Sequence, residues 1–327
     1  MTRRLKPCLL AGLFISGGFM RDRGPMIGFF LALTTAVFWG ALPIAMKQAV
    51  EVMDPFTIVW YRFITASVGL GLLLSWKKQL PTISNLGRAG GLVLLIASIG
   101  LAGNFVLFNS SLKYLNPPVV QVIIQLAPVG LLVTSAWVFK EKLAKHQIIG
   151  VICLLAGLLL FFNERLIELF TSFSGYTLGV SLAVAAAIVW VIYGLAQKWL
   201  LKQFTSAQIL LMIYVICALI LTPVAQPEQI YAMDNRQLAM LAFCCINTLV
   251  GYGAFAEAMS RWQASQVSAV ITLTPLFTIL FVDLASLALP QYVAPVTLNI
   301  WGYLGAMVVV SGAICCAIGH KFIRQHK

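Results

Sequence analysis

Nine stretches of this chain run for 17 residues or more without a charged side chain, and a tenth is interrupted only by Arg62. The windows are 24 to 46, 55 to 76 (the one holding Arg62), 89 to 112, 114 to 139, 147 to 163, 169 to 197, 203 to 227, 237 to 256, 262 to 282 and 284 to 319. A helix needs about 20 apolar residues to cross the hydrocarbon of a bilayer. Lipid offers the backbone no partners, and these windows are continuous apolar blocks, unlike the alternating segments of roughly ten residues that build a barrel. The expectation is an all-α membrane protein with ten transmembrane helices. With 61% hydrophobic and 10% charged residues over 327 positions, almost nothing is left for a domain in water, and a soluble enzyme is excluded.

Ten spans return the C-terminus to the side of the N-terminus, so the basic residues can be assigned loop by loop. With a cytoplasmic N-terminus, seventeen Lys and Arg fall inside: Arg3, Arg4, Lys6, Arg21, Arg23, Lys77, Lys78, Arg88, Lys140, Lys142, Lys145, Lys198, Lys202, Arg261, Lys321, Arg324 and Lys327. Four fall outside: Lys47, Lys113, Arg165 and Arg236. Cytoplasmic loops carry the excess of basic residues, so both termini are expected in the cytoplasm. The net charge of +12 is thus spread over span edges. It does not gather on one soluble face, as a nucleic-acid partner would require.

Residues 1 to 25 are expected to be an N-terminal extension, with Met26 as the natural start. Cys8 to Met20 is an apolar block between basic clusters, like a signal-peptide core, but it is too short to span and lacks a small-residue cleavage site. The seven cysteines, at 8, 153, 217, 244, 245, 315 and 316, lie in apolar stretches without CxxC spacing and read as small hydrophobes.

The chain resembles itself. A shift of 151 places Gly28, Leu31, Ala32, Ala36, Trp39, Ala45 and Lys47 over Gly179, Leu182, Ala183, Ala187, Trp190, Ala196 and Lys198. A shift of 147 places Phe108, Val120, Ile124, Leu126 and Pro128 over Phe255, Val267, Ile271, Leu273 and Pro275. The expected organisation is two five-helix halves, 26–165 and 177–322, followed by a basic tail, 323–327. Five is odd, so the second half must cross in the opposite sense, which makes the halves inverted repeats. Inverted repeats can exchange conformations and open one central site alternately to each side, which points to transport.

The same residues carry a family resemblance. "GFFLALTTAVFWGALPIAMK", "WYRF" and "SSLKYLNPPVVQVIIQLAPVGLLVTSAWVFKEKLAKHQIIGVICLLAG" resemble the first half of the drug/metabolite transporter superfamily, specifically an EamA-type protein. "FAEAMSRWQASQVSAVITLTPLFTILF" and "GYLGAMVVVSG" resemble the second half. The resemblance implies ten helices, cytoplasmic termini, a cavity between the halves, and export or exchange of small metabolites, amino acids or toxic organics across a bacterial inner membrane. One departure stands out. The family's acidic residue after the fourth helix is Glu141, followed by Lys142, but the second half has "LALPQYVAPVTLN", eight residues longer and without the Glu.

An ionisable side chain within a span is costly and is a functional candidate by default. Arg62 matches the arginine that the family pattern carries in helix 2. It can attract a carboxylate or phosphate, or instead hold helices together through backbone carbonyls. Glu257 stands four residues before Arg261 and can carry a coupling proton, or simply form an ion pair. Asn104 and Phe108 share a face of helix 3, and Gln121 and Gln125 share a face of helix 4; such amides bind amino or carboxyl groups, or tie helices together. Pro128 and Pro275 each remove a backbone donor and are candidate hinges. Trp39, Tyr61, Trp190, Tyr193 and Tyr252 offer aromatic faces near the centre. Trp60, Trp76 and Trp137 read as interface anchors.

His146, His320 and His326 all lie at span edges, and no GxxxxGKS or GKT loop occurs, so no metal, cofactor or ATP-driven step is expected. Energy must come from gradients, with protons as a candidate coupling ion. Phosphate esters and nucleotide sugars want several deep Lys or Arg residues, and only Arg62 is deep. The expected substrate is therefore an amino acid or a related amphipathic metabolite. A polytopic membrane enzyme would need converging catalytic groups that the spans lack. The sequence leaves the oligomeric state open.

Overall fold

The computed structural model describes residues 23–82, 86–138, 143–261, 267, 270–295 and 298–324. Glu141, Lys142 and the apolar block from Cys8 to Met20 lie outside them. The helices are α1 (Arg23–Ala49), α2 (Pro55–Trp76), α3 (Gly87–Ser111), α4 (Pro117–Ile123), α5 (Leu126–Val138), α6 (Lys145–Phe161), α7 (Leu166–Thr171), α8 (Gly175–Leu200), α9 (Ser206–Leu221), α10 (Asn235–Arg261), α11 (Thr274–Ala288) and α12 (Ile300–Arg324), with a 3-10 segment at Pro227–Ala232. Among the described residues, six helical stretches are long and apolar enough to cross a membrane, and four shorter apolar helices accompany them.

Two windows divide. The helix expected over 114 to 139 stops at Ile123 and resumes at Leu126, and a second turn at Thr272 and Leu273 precedes α11. Each break lies within a turn of a proline, Pro128 or Pro275, whose missing N–H and ring disfavour a continuous helix there. The later windows also shift. α11 runs through half-buried Asp283 to Ala288, and the last span starts at Ile300 rather than near 284. A charge ends an uncharged window without ending a helix.

Local chemistry sets several starts. Asp54 caps α2 by accepting from the backbone of Phe56 and Thr57 at 2.8 and 3.1 Å, with Pro55 pre-set for the first turn. Thr205 and Gln208 form a reciprocal box at the start of α9. Ser174 caps α8 through the Thr177 amide.

Packing runs between the first part of the chain and the last: α1 against α10 and α11, α2 against α9 and α10, α3 and α5 against α8, α4 against α11, and α6 against α12. α6 and α12 approach closely enough that a Cβ on Gly157 would lie 2.6 Å from the Val309 amide nitrogen, and one on Gly312 would lie 2.7 Å from the Gly150 carbonyl oxygen. Gly150 faces Gly312 while Gly157 faces Gly305, so these two helices run antiparallel. Outward positions are apolar, as at Leu72, Ile99, Ile152, Leu159 and Leu219, which suits lipid. Trp76 and Trp137 stand about four-fifths exposed at helix ends, where anchoring tryptophans belong.

Candidate transport site

A cavity of about 200 Å³ lies where α1, α2, α3, α4, α5, α8, α10 and α11 converge. Water takes about 30 Å³ per molecule in the liquid, so the space equals six or seven waters, enough for a small organic molecule. Its walls are mainly aromatic. Trp39 stacks obliquely on Tyr252 and Phe255, with ring centroids 5.1 and 5.8 Å apart. Trp190, Phe105 and Phe108 line the same cavity, with the Phe105 ring 6.0 Å from that of Tyr252. A shift of 151 carries Trp39 onto Trp190, and a shift of 147 carries Phe105 and Phe108 onto Tyr252 and Phe255. The two sets are equivalent under the repeat.

The polar groups are not paired in this way. Arg62 is 2% exposed. Its Nε donates to Thr248 Oγ1 at 2.8 Å, Nη1 reaches Met46 Sδ at 3.8 Å, and the guanidinium carbon lies 4.3 Å from the centre of the Phe105 ring. Among the described residues no carboxylate pairs with it. The residue that a shift of 151 places opposite it is Ile213, fully buried in α9.

Three amides line the same space. Asn104 Nδ2 donates to the Ala186 carbonyl at 2.9 Å, and Gln121 Nε2 donates to the Trp39 carbonyl at 2.7 Å. The second bond has a local cause. Pro43 inside α1 has no N–H, so the Trp39 carbonyl loses its helical donor and Gln121 replaces it. Side chains also reach the carbonyls on either side, Asn247 to Phe38 at 2.6 Å and Thr278 to Gly40 at 2.8 Å. Each amide directs one of its two N–H donors to a carbonyl, which fixes its orientation and leaves Asn104 Oδ1 and Gln121 Oε1 as acceptors. The Gln125 side chain lines the cavity and has no hydrogen-bond partner among the described residues.

Of the residues singled out from the sequence, Trp39, Arg62, Asn104, Phe108, Gln121, Gln125, Pro128, Trp190 and Tyr252 line this cavity. Four others lie elsewhere. The Tyr61 hydroxyl donates to the Pro227 carbonyl at 2.9 Å, and Tyr193 is buried beside Trp190. Pro275 is buried next to the lining residue Thr274. Glu257 is half exposed and accepts from Arg261 Nε at 2.6 Å, away from the cavity lining. Met46, Phe105, Phe255 and Thr272 also line the cavity, and Thr248 holds Arg62. Phe255 was reachable as the partner of Phe108 under the shift; a threonine in an apolar span gives no such signal.

A second hollow of about 320 Å³ lies at the loop end of α6 and α12. There Asn299 Nδ2 donates to Asn163 Oδ1 at 2.9 Å and to Glu164 Oε1 at 2.8 Å, so its polar groups serve as a clasp between the two helices.

Known proteins match most of this chain. A crystal structure covering 91% of this chain and 97% of its own superposes with a TM-score of 0.60 at 19% identity, a likeness of fold. The Escherichia coli (strain K12) protein named "Uncharacterized inner membrane transporter YhbE" is 56% identical over 304 residues, 92% of this chain and 95% of that protein. A Haemophilus influenzae protein named "Uncharacterized transporter" is 50% identical over 303 residues, 93% of this chain and 98% of that one. The Salmonella typhimurium "Probable amino-acid metabolite efflux pump" is 22% identical over 311 residues, 90% of this chain and 96% of its own. The EamA-like transporter family matches twice, over residues 26–163 and 177–315. The chain belongs to the EamA-like transporter family.

Proposed function

We propose that this transporter is a multi-pass carrier of the bacterial inner membrane that exports or exchanges amino acids or related amphipathic metabolites. It works by alternating access between two inverted five-helix halves, 26–165 and 177–322, with both termini in the cytoplasm. The carrying observation is that contacts between the halves come in exchanged pairs. Thr35 Oγ1 bonds to the Gly251 carbonyl at 3.3 Å and Asn104 bonds to the Ala186 carbonyl; shifts of 151 and 147 convert one pair into the other. The same shifts convert Asn247 on Phe38 into Gly100 on Val189, and Gly40 on Phe277 into Gly130 on Val191. They also convert the Gln226 amide on Thr57 Oγ1, 2.8 Å, into Gln208 Nε2 on the Gln79 carbonyl, 3.0 Å.

Beyond the eight-residue insertion the shift becomes 155, which carries Gly150 onto Gly305 and Gly157 onto Gly312. Those glycines face one another across α6 and α12. Equivalent helices that pack antiparallel belong to halves of opposite orientation, and this supports inversion. The cavity is lined by both equivalent sets, and a rocking of the halves would expose it to each side in turn. The breaks beside Pro128 and Pro275 are the matched places for bending.

The printed names of the Escherichia coli and Salmonella typhimurium relatives support the inner membrane and the substrate class. A phosphate-ester exchanger of the same superfamily is disfavoured because Arg62 is the lone cation at the cavity among the described residues. Purified protein in sealed liposomes, preloaded with an unlabelled amino acid, should accumulate the labelled compound unaltered by counterflow. Counterflow of phosphate esters with none of any amino acid would overturn the substrate class, and chemical alteration of the label would overturn the carrier reading.

A further inference from the structure

The molecule has near-equivalent halves, yet its polar binding groups sit on one side. Arg62 has Ile213 as its counterpart, Gln125 has Thr272, and Asn104 has Gly251. A guanidinium carries five N–H donors. One donates to Thr248 and one reaches Met46, so three have no protein partner among the described residues. A buried cation left this short of acceptors in a lipid-embedded cavity lacks an anion, and a planar carboxylate fits the fork with two parallel bonds. In the same cavity, Asn104 and Gln121 each direct an amide N–H to a backbone carbonyl, which leaves Oδ1 and Oε1 as lone-pair acceptors. Carbonyl oxygens of that kind accept from an ammonium group and repel an anion.

Resting on the carrier reading above, we propose that Arg62 is the carboxylate anchor of the transport site. Asn104 Oδ1 and Gln121 Oε1 form its ammonium subsite, so that the carrier requires both charges of a zwitterion and seats the apolar side chain among the aromatic rings of the cavity. Thr248 is a positioning residue, acting on substrate through the Arg62 Nε bond.

The test is counterflow of labelled L-phenylalanine in proteoliposomes, with phenethylamine (carboxylate removed) and 3-phenylpropionate (ammonium removed) as competitors. The wild type should bind each competitor at least about tenfold more weakly than phenylalanine, the cost of one charge-assisted contact. Arg62→Gln should abolish counterflow and Arg62→Lys should restore part of it. Asn104→Leu should raise the KM for phenylalanine while leaving competition by 3-phenylpropionate unchanged, a readout that does not depend on the arginine variants folding. Unchanged KM for phenylalanine in a monodisperse Arg62→Gln carrier overturns the proposal and leaves the carrier reading standing. So does phenethylamine competing as well as phenylalanine. Counterflow of some other metabolite with no amino acid accepted overturns the proposal together with the substrate class.

Discussion

Two buried amides that look alike should respond differently to substitution. Asn247 bonds to the Phe38 carbonyl, which keeps its helical donor at Leu42, and Asn247 Oδ1 is buried without a partner among the described residues. Removing the residue loses one membrane hydrogen bond, worth about 0.6 kcal/mol on average, and also removes an unsatisfied oxygen. Asn247→Leu should therefore change stability by less than about 0.5 kcal/mol. Gln121→Leu strips the sole donor from the Trp39 carbonyl and should cost about 1–3 kcal/mol. Restoring an N–H with Pro43→Ala should cut that cost, so thermal unfolding of the two single variants and the double variant in detergent micelles should give clear coupling. At Glu257, the half-exposed pair with Arg261 predicts that Glu257→Gln shifts stability by about 0.5 kcal/mol or less and leaves the pH profile of counterflow unmoved. A displaced profile would assign that carboxylate the coupling proton. Arg62 was legible because one charge in an uncharged window is conspicuous. Pro43 is equally visible in the first window, but its effect on Gln121 depends on a contact 82 residues away in sequence, which no local pattern encodes.

Among the helices, spacing along the sequence revealed the spans but not their interruptions. α4 and α5 form one apolar window because turn residues Ile124 and Gln125 carry no breaker signal of their own. The proline responsible lies downstream. The tight pairing of α6 with α12 was equally hidden, since Gly150 and Gly157 look like ordinary membrane glycines until Gly305 and Gly312 are placed opposite. That pairing is sensitive to a single methyl. Gly157→Ala puts a Cβ 2.6 Å from backbone nitrogen that cannot swing aside, and should destabilise by about 1–3 kcal/mol. Gly253→Ala, with nothing within 4 Å of the new atom, should be neutral or slightly stabilising, by up to about 1 kcal/mol. Melting temperatures of the two variants, measured side by side, give the comparison.

For the whole molecule, the distribution of basic residues predicts the side of each loop. In a cysteine-free background, an impermeant maleimide added to intact cells should label Glu51→Cys and spare Arg88→Cys, and the reverse should hold in inverted vesicles. Opposite labelling of the two sites would remove the cytoplasmic-termini topology and with it the sense of the halves. On the proposed carrier mechanism, the guanidinium at the cavity predicts sensitivity to membrane voltage. A rocking carrier with an empty site connects that positive charge to whichever compartment the cavity faces, and a full elementary charge across the field is worth about 2.3 kcal/mol per 100 mV. An interior-negative cell therefore draws the vacant carrier toward its inward-open form, poised to load from the cytoplasm. A bound zwitterion leaves the net charge of the site unchanged, so the loaded form should feel the same pull, and efflux from proteoliposomes should move no net charge, checked by the absence of an electrogenic current.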